Sequence, residues 1–129
     1  MANLRDRIIL FPRYTTFAGD RDWTTLPINV TSYEGGDLRI WIGDVAGVTM
    51  AGPITAAIEE STDQATWSTC GGTGSAALAE GVEVALAPTF TKPWMRLRIN
   101  IQPAIGGDPV VSCYAVGYLE RRKGASPPP

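Results

Sequence analysis

Trp94-Met95-Arg96-Leu97-Arg98-Ile99-Asn100-Ile101 alternates without a break. Met95, Leu97, Ile99 and Ile101 fall on one side; Arg96, Arg98 and Asn100 fall on the other. Side chains of a β-strand change face at every residue. The stretch therefore reads as a half-buried antiparallel strand, with one face on a core and one on solvent or a partner. Working outward, Asp37-Leu38-Arg39-Ile40-Trp41-Ile42 repeats the pattern, with Leu38, Ile40 and Ile42 inward. Gly35-Gly36 reads as a turn joining it to a strand at 28–33, which together make a hairpin.

Further strands are expected at 5–11, 54–60 and 66–70, at 82–86 with Val82, Val84 and Leu86 inward, and at 109–120. Turn chemistry separates nearly all of them: Gly19-Asp20, Gly52-Pro53, Gly71-Gly72 and Gly106-Gly107. Seven or eight short strands at this spacing predict an all-β fold, a single antiparallel β-sandwich or jelly-roll-like domain with extended N- and C-terminal segments. Residues 1–120 form the domain, interrupted by an irregular loop at 12–27. Residues 121–129 form a basic, proline-rich tail. One helical turn is expected at 75–80, where the alanines favour it.

The 129 residues suit one domain, and 44% hydrophobic with 19% charged residues is a globular balance. The net charge of −2 makes no electrostatic case for nucleic acid. No apolar run reaches the length of a membrane span. The N-terminal MANLRDRIILF carries charges inside its apolar stretch, so it does not read as a signal peptide, and synthesis in the cytoplasm is expected.

The chain has no histidine. That removes Ser-His-Asp and Cys-His nucleophilic systems and every metal site that uses histidine. Cys70 and Cys113 read as free, buried thiols rather than a pair. No glycine-rich phosphate loop fits. Glu59 and Glu60 are neighbours on a strand and face opposite sides, so they cannot flank one bond. Asp20 and Asp22, with Asp63 or Asp44, lack the spacing of a calcium loop and read as solvated acids. No catalytic residue, cofactor or metal is therefore expected.

What stands out are tryptophans and arginines on the polar faces. Trp41 lies opposite Leu38, Ile40 and Ile42, and Trp94 lies on the Arg96 and Arg98 face. Such a pairing suits a protein contact, where Trp and Arg concentrate binding energy, or a platform for stacking sugar rings. Both tryptophans also admit an ordinary core reading, if loops cover the outer faces. Trp67, in a short strand after a turn, reads as a core anchor.

The segment Ala56-Ala57-Ile58-Glu59-Glu60-Ser61-Thr62-Asp63-Gln64-Ala65-Thr66-Trp67-Ser68 resembles a hairpin of many small virion proteins of tailed bacteriophages. Phe90-Thr91-Lys92-Pro93-Trp94-Met95-Arg96-Leu97-Arg98-Ile99 resembles another of their strands, and Ala115-Val116-Gly117-Tyr118-Leu119-Glu120-Arg121-Arg122 their last one. The Ser-x-Asp…Trp hairpin also occurs in carbohydrate-binding β-sandwiches. The resemblance covers about half the chain, residues 54–122. It implies a non-enzymatic virion structural protein, as a head decoration (cement) protein on the major capsid lattice or a tail or neck component. The partners implied are the major capsid protein and neighbouring copies in a trimer or dimer; a glycan-binding module is the alternative. Expected contact residues are Trp41, Trp94, Arg96 and Arg98, then Arg5, Arg7 and Arg13, then Arg121, Arg122, Pro127, Pro128 and Pro129.

Overall fold

The structure is a computed structural model that describes residues 4–19, 21–101 and 104–122; the side chains of Arg13, Tyr14 and Ala104 lie outside that description. Two antiparallel sheets pack face to face around one hydrophobic core. The first sheet has the order β1 (Arg5–Ala18), β13 (Val110–Arg121), β4 (Tyr33–Ile42), β10 (Glu83–Thr89) and β8 (Gly71–Thr73). The second is centred on β11 (Trp94–Asn100) and β6 (Ile54–Ser61). On one flank β2 (Asp22–Thr24) and β3 (Ile28–Asn29) pair with β11. On the other, β7 (Ser68–Thr69) and β9 (Ser75–Leu78) pair with β6. A small ribbon joins β5 (Thr49–Met50) to β12 (Ala104–Ile105). The fold is the expected all-β sandwich.

The alternation in the sequence becomes the alternation of burial. Met95, Leu97 and Ile99 of β11 face Leu38, Ile40 and Ile42 of β4 through the core, and all six are essentially inaccessible. Burying a Leu, Ile or Met side chain contributes about 1.5–3 kcal/mol each, so these rows supply much of the cohesion. Phe11, Leu86, Val111, Ala115 and Leu119 complete the first sheet's inner face, and Trp23, Ile54, Ile58 and Leu78 that of the second.

Several expectations are corrected. Gly35 and Gly36 do not turn; they sit inside β4, where the chain is flanked closely on both sides. A Cβ on Gly35 would stand 2.6 Å from the Pro88 carbonyl oxygen, and one on Gly36 2.9 Å from that of Tyr118. The glycines admit neighbouring backbone where a side chain would not fit. Consequently the 28–33 strand shrinks to Ile28–Asn29, and the hairpin is absent. The segment at 75–80 is not helical: Ser75–Leu78 is strand β9, paired along β6 with Leu78 buried. So short a run cannot nucleate a helix against a waiting strand edge. Val82 precedes β10 and is exposed, while Leu86 is buried as expected.

The loop at 12–27 is also largely ordered as strand. β1 continues to Ala18, past Pro12, through two register shifts between Ile9 and Thr15. Proline is tolerated there because β1 is an edge strand and the shifts are bulges. β2 follows, carrying Trp23 into the core. Phe11, Phe17 and Trp23 form a ring chain with centroids 4.8 and 4.9 Å apart, which closes that side between the two sheets. At the other end, Arg121 belongs to β13 rather than to a tail.

Candidate contact faces on the two sheets

The outer face of the second sheet carries the residues singled out first, Trp94, Arg96 and Arg98. Register places Arg96 opposite Glu59 and Asn100 opposite Asp22. Arg96 Nε donates to Glu59 Oε1 at 2.9 Å, and the Glu59 carboxylate is almost buried. Arg98 binds Asp22 with two hydrogen bonds, Nε to Oδ1 at 2.8 Å and Nη2 to Oδ2 at 2.5 Å, and its Nη1 stands 3.8 Å from Glu59. The Arg98 guanidinium lowers the pKa of Asp22 below the usual carboxylate range.

Trp67 is not a core anchor. It lies on this same face, with the Arg96 guanidinium 4.3 Å from its ring centre. The turn before it explains the placement. Asp63 Oδ1 accepts from the backbone N–H of Ala65 and Thr66, each at 2.9 Å, and Ser61 Oγ accepts from Gln64 N–H at 2.9 Å. The bonds from Thr66 N–H and Ala65 N–H, then one from the Ser61 hydroxyl at 3.0 Å, lower the Asp63 pKa to about 2. The sequence carried no signal for the contact of Trp67 with Arg96, because the two are remote in the chain and meet only through the pairing of β6 with β11. Glu60, on the opposite side of β6, accepts from Thr91 N–H, Thr91 Oγ1–H and Lys92 N–H at 2.8–3.1 Å. The two neighbouring glutamates do face apart, and each is tied to its own partners.

The outer face of the first sheet is different in kind. Three rows cross it in register: Arg7, Tyr118 and Asp37; Ile9, Val116, Arg39 and Ala85; Tyr114, Trp41 and Glu83. Trp41 stacks on Tyr114 with centroids 5.6 Å apart and planes 12° from parallel, and Tyr114 Oη donates to Glu83. Arg39 is paired to Asp37 at 3.2 Å. Arg7, Asp37, Arg39, Val116, Gly117 and Tyr118 line a shallow depression of about 220 Å³. Ile9 is 54% and Tyr118 46% exposed. Among the described residues, Arg7 has neither an ion pair nor a side-chain hydrogen bond, and nothing packs over this face.

The remaining expected contact residues are mostly engaged. Arg5 pairs with Glu120 at 2.6 Å. Arg121 donates twice to Asp6, at 2.7 and 2.9 Å, and Asp6 also accepts from Tyr33 Oη at 2.6 Å. Arg121 and then Tyr33 lower the Asp6 pKa. Arg122 donates to the carbonyls of Thr31 and Phe90. The side chain of Arg13, and Pro127, Pro128 and Pro129, lie outside the described residues, as does Asp20.

Cys70 and Cys113 are free and buried, and burial pushes their pKa values up to about 12 and about 11. Both thiols are thus held in the protonated, unreactive form. Among the described residues no three acids or cysteines gather as a metal cluster. No protein-family model matches the sequence, and no curated protein is significantly similar to it.

Proposed function

We propose that this chain is a non-enzymatic structural protein of a virion, a head decoration protein that binds the major capsid lattice. The observation that carries the contact surface is the uncovered outer face of β1, β13 and β4. It offers Ile9 and Tyr118 beside Arg7, a cation with no partner among the described residues, and the stacked Trp41 and Tyr114 two rows further along. Aromatic side chains and arginine on a rigid sheet are what protein contacts concentrate. The virion reading rests on the resemblance of residues 54–122 to small phage structural proteins. In this reading the second sheet's Arg96 and Arg98 brace the scaffold, while the first sheet makes the contact. Many copies on one lattice add their affinities, so each contact need not be strong.

The test is to mix the purified chain with undecorated phage heads, sediment them, and measure the chain's own mass by light scattering. Co-sedimentation of a stable monomer, dimer or trimer is the expected result. A folded chain that stays in the supernatant would overturn the head assignment. A glycan-binding reading draws on the stacked Trp41 and Tyr114 pair. A shift of tryptophan fluorescence on adding members of a glycan panel would favour it.

A further inference from the structure

β1 is the edge of the first sheet, and its unpaired backbone groups can be assigned. Arg121 N–H donates to the Leu4 carbonyl at 2.9 Å. In an antiparallel ladder the residues that bond a given neighbour alternate. Leu4, Asp6 and Ile8 therefore direct their N–H and C=O groups to β13. Those of Arg5, Arg7 and Ile9 point the other way, and among the described residues no strand lies there. The register beyond Ile9 is broken by bulges, and Pro12 has no N–H to offer. The usable edge is thus short, three residues with six backbone groups. The side chains of those same three residues stand on the open outer face, opposite Glu120, Tyr118 and Val116.

We infer that this edge accepts an extended acidic segment of a partner protein by strand addition. A strand added here pairs main chain to main chain with Arg5, Arg7 and Ile9, and every second side chain lies on the outer face. Charge then selects the occupant. Arg7 has no counter-ion among the described residues, so the residue opposite it is a carboxylate; Ile9, more than half exposed, takes an apolar side chain. Arg5, already paired to Glu120, tolerates a second acid. For an antiparallel addition the pattern is apolar-x-acid-x-acid. A second copy of this chain fits less well, since a symmetric β1 pair centred on Arg7 sets Arg7 against Arg7, and like charges directly opposite are destabilising. This names the partner chemistry for the face proposed above as the contact surface, and so rests on that reading.

The experiment needs no phage head, so its failure is separable from that of the head assignment. The full chain is titrated with the blocked peptide Thr-Val-Thr-Glu-Thr-Glu-Thr, and amide exchange is followed residue by residue by NMR. At ten times Kd, exchange at Arg5, Arg7 and Ile9 should slow roughly tenfold, with Asp6 and Ile8 unchanged. Replacing both glutamates by lysine should weaken binding about two- to fivefold, and Arg7→Glu should reverse that preference. No protection of the three amides at millimolar peptide would overturn the inference. So would equal binding of the acidic and basic peptides. Arg7→Glu is exposed, and its unchanged spectrum elsewhere confirms that loss of binding is not loss of fold.

Discussion

Arg96 sits between Glu59 and Trp67, its Nε 2.9 Å from the carboxylate and its guanidinium 4.3 Å from the indole centre. An arginine held on both sides is a structural member of the face rather than a free contact. Arg96→Ala removes the 2.9 Å hydrogen bond of a nearly buried carboxylate, leaving it the Arg98 guanidinium at 3.8 Å, and uncovers the indole. It should cost about 1–3 kcal/mol in denaturant unfolding. Arg98→Ala, whose pair with Asp22 is more exposed, should cost no more than about 1 kcal/mol. Equal and negligible losses in both would contradict the bracing role.

Leu97 and Tyr118 separate core from contact face. Leu97 is fully buried at the centre of β11. Leu97→Ala should lower stability by about 2–5 kcal/mol, while Tyr118→Ala should stay within about 1 kcal/mol. Urea midpoints at constant slope measure both.

Asp63 sets an acid limit on the β6–β7 hairpin. Its carboxylate titrates at about 2 in the fold against a model-peptide value of 3.8. A depressed pKa means that the carboxylate's stabilisation is fully present above pH 4 and is lost as the pH falls from about 4 to 2. Asp63→Asn should flatten the unfolding free energy over that window. An unchanged acid limb in the variant would show that the turn's bonds do not carry it.

The thiols should be silent. With pKa values pushed to about 12 and about 11 by burial, Cys70 and Cys113 should react with an aromatic disulfide reagent at neutral pH only as the protein opens. Two equivalents released at once from native protein would contradict their burial.

Where period-two alternation is strict, the strands were legible from residues alone, as at Arg96 to Ile99 and Leu38 to Ile42. Legibility failed where backbone fit overrides local propensity. Gly35 and Gly36 look like a turn, but only their missing Cβ atoms let β10 and β13 close on β4. Likewise the alanines at 76 and 77 would suit a helix, yet the edge of β6 captures them as strand. The candidate faces were half legible. Outward arginines are visible in the alternation, but their partners are remote: Asp22 for Arg98, Trp67 and Glu59 for Arg96, Asp6 for Arg121. Only the register of strands distant in sequence reveals which arginines are spent inside the molecule. Among the described residues Arg7 emerges as a cation with neither an ion pair nor a side-chain hydrogen bond, whereas Arg5, Arg39, Arg96, Arg98 and Arg121 each have a carboxylate.

The contact role of the first sheet is tested most directly by sedimenting undecorated heads with three forms of the chain: wild type, the Ile9→Ser/Tyr118→Ala double variant, and Leu26→Ser. Leu26 is the most exposed large apolar side chain among the described residues and lies between β2 and β3, beside the other sheet. Wild type and Leu26→Ser should pellet with the heads, and the double variant, folded by its urea midpoint, should remain in solution. Equal pelleting of all three, or pelleting lost only with Leu26→Ser, would contradict the account.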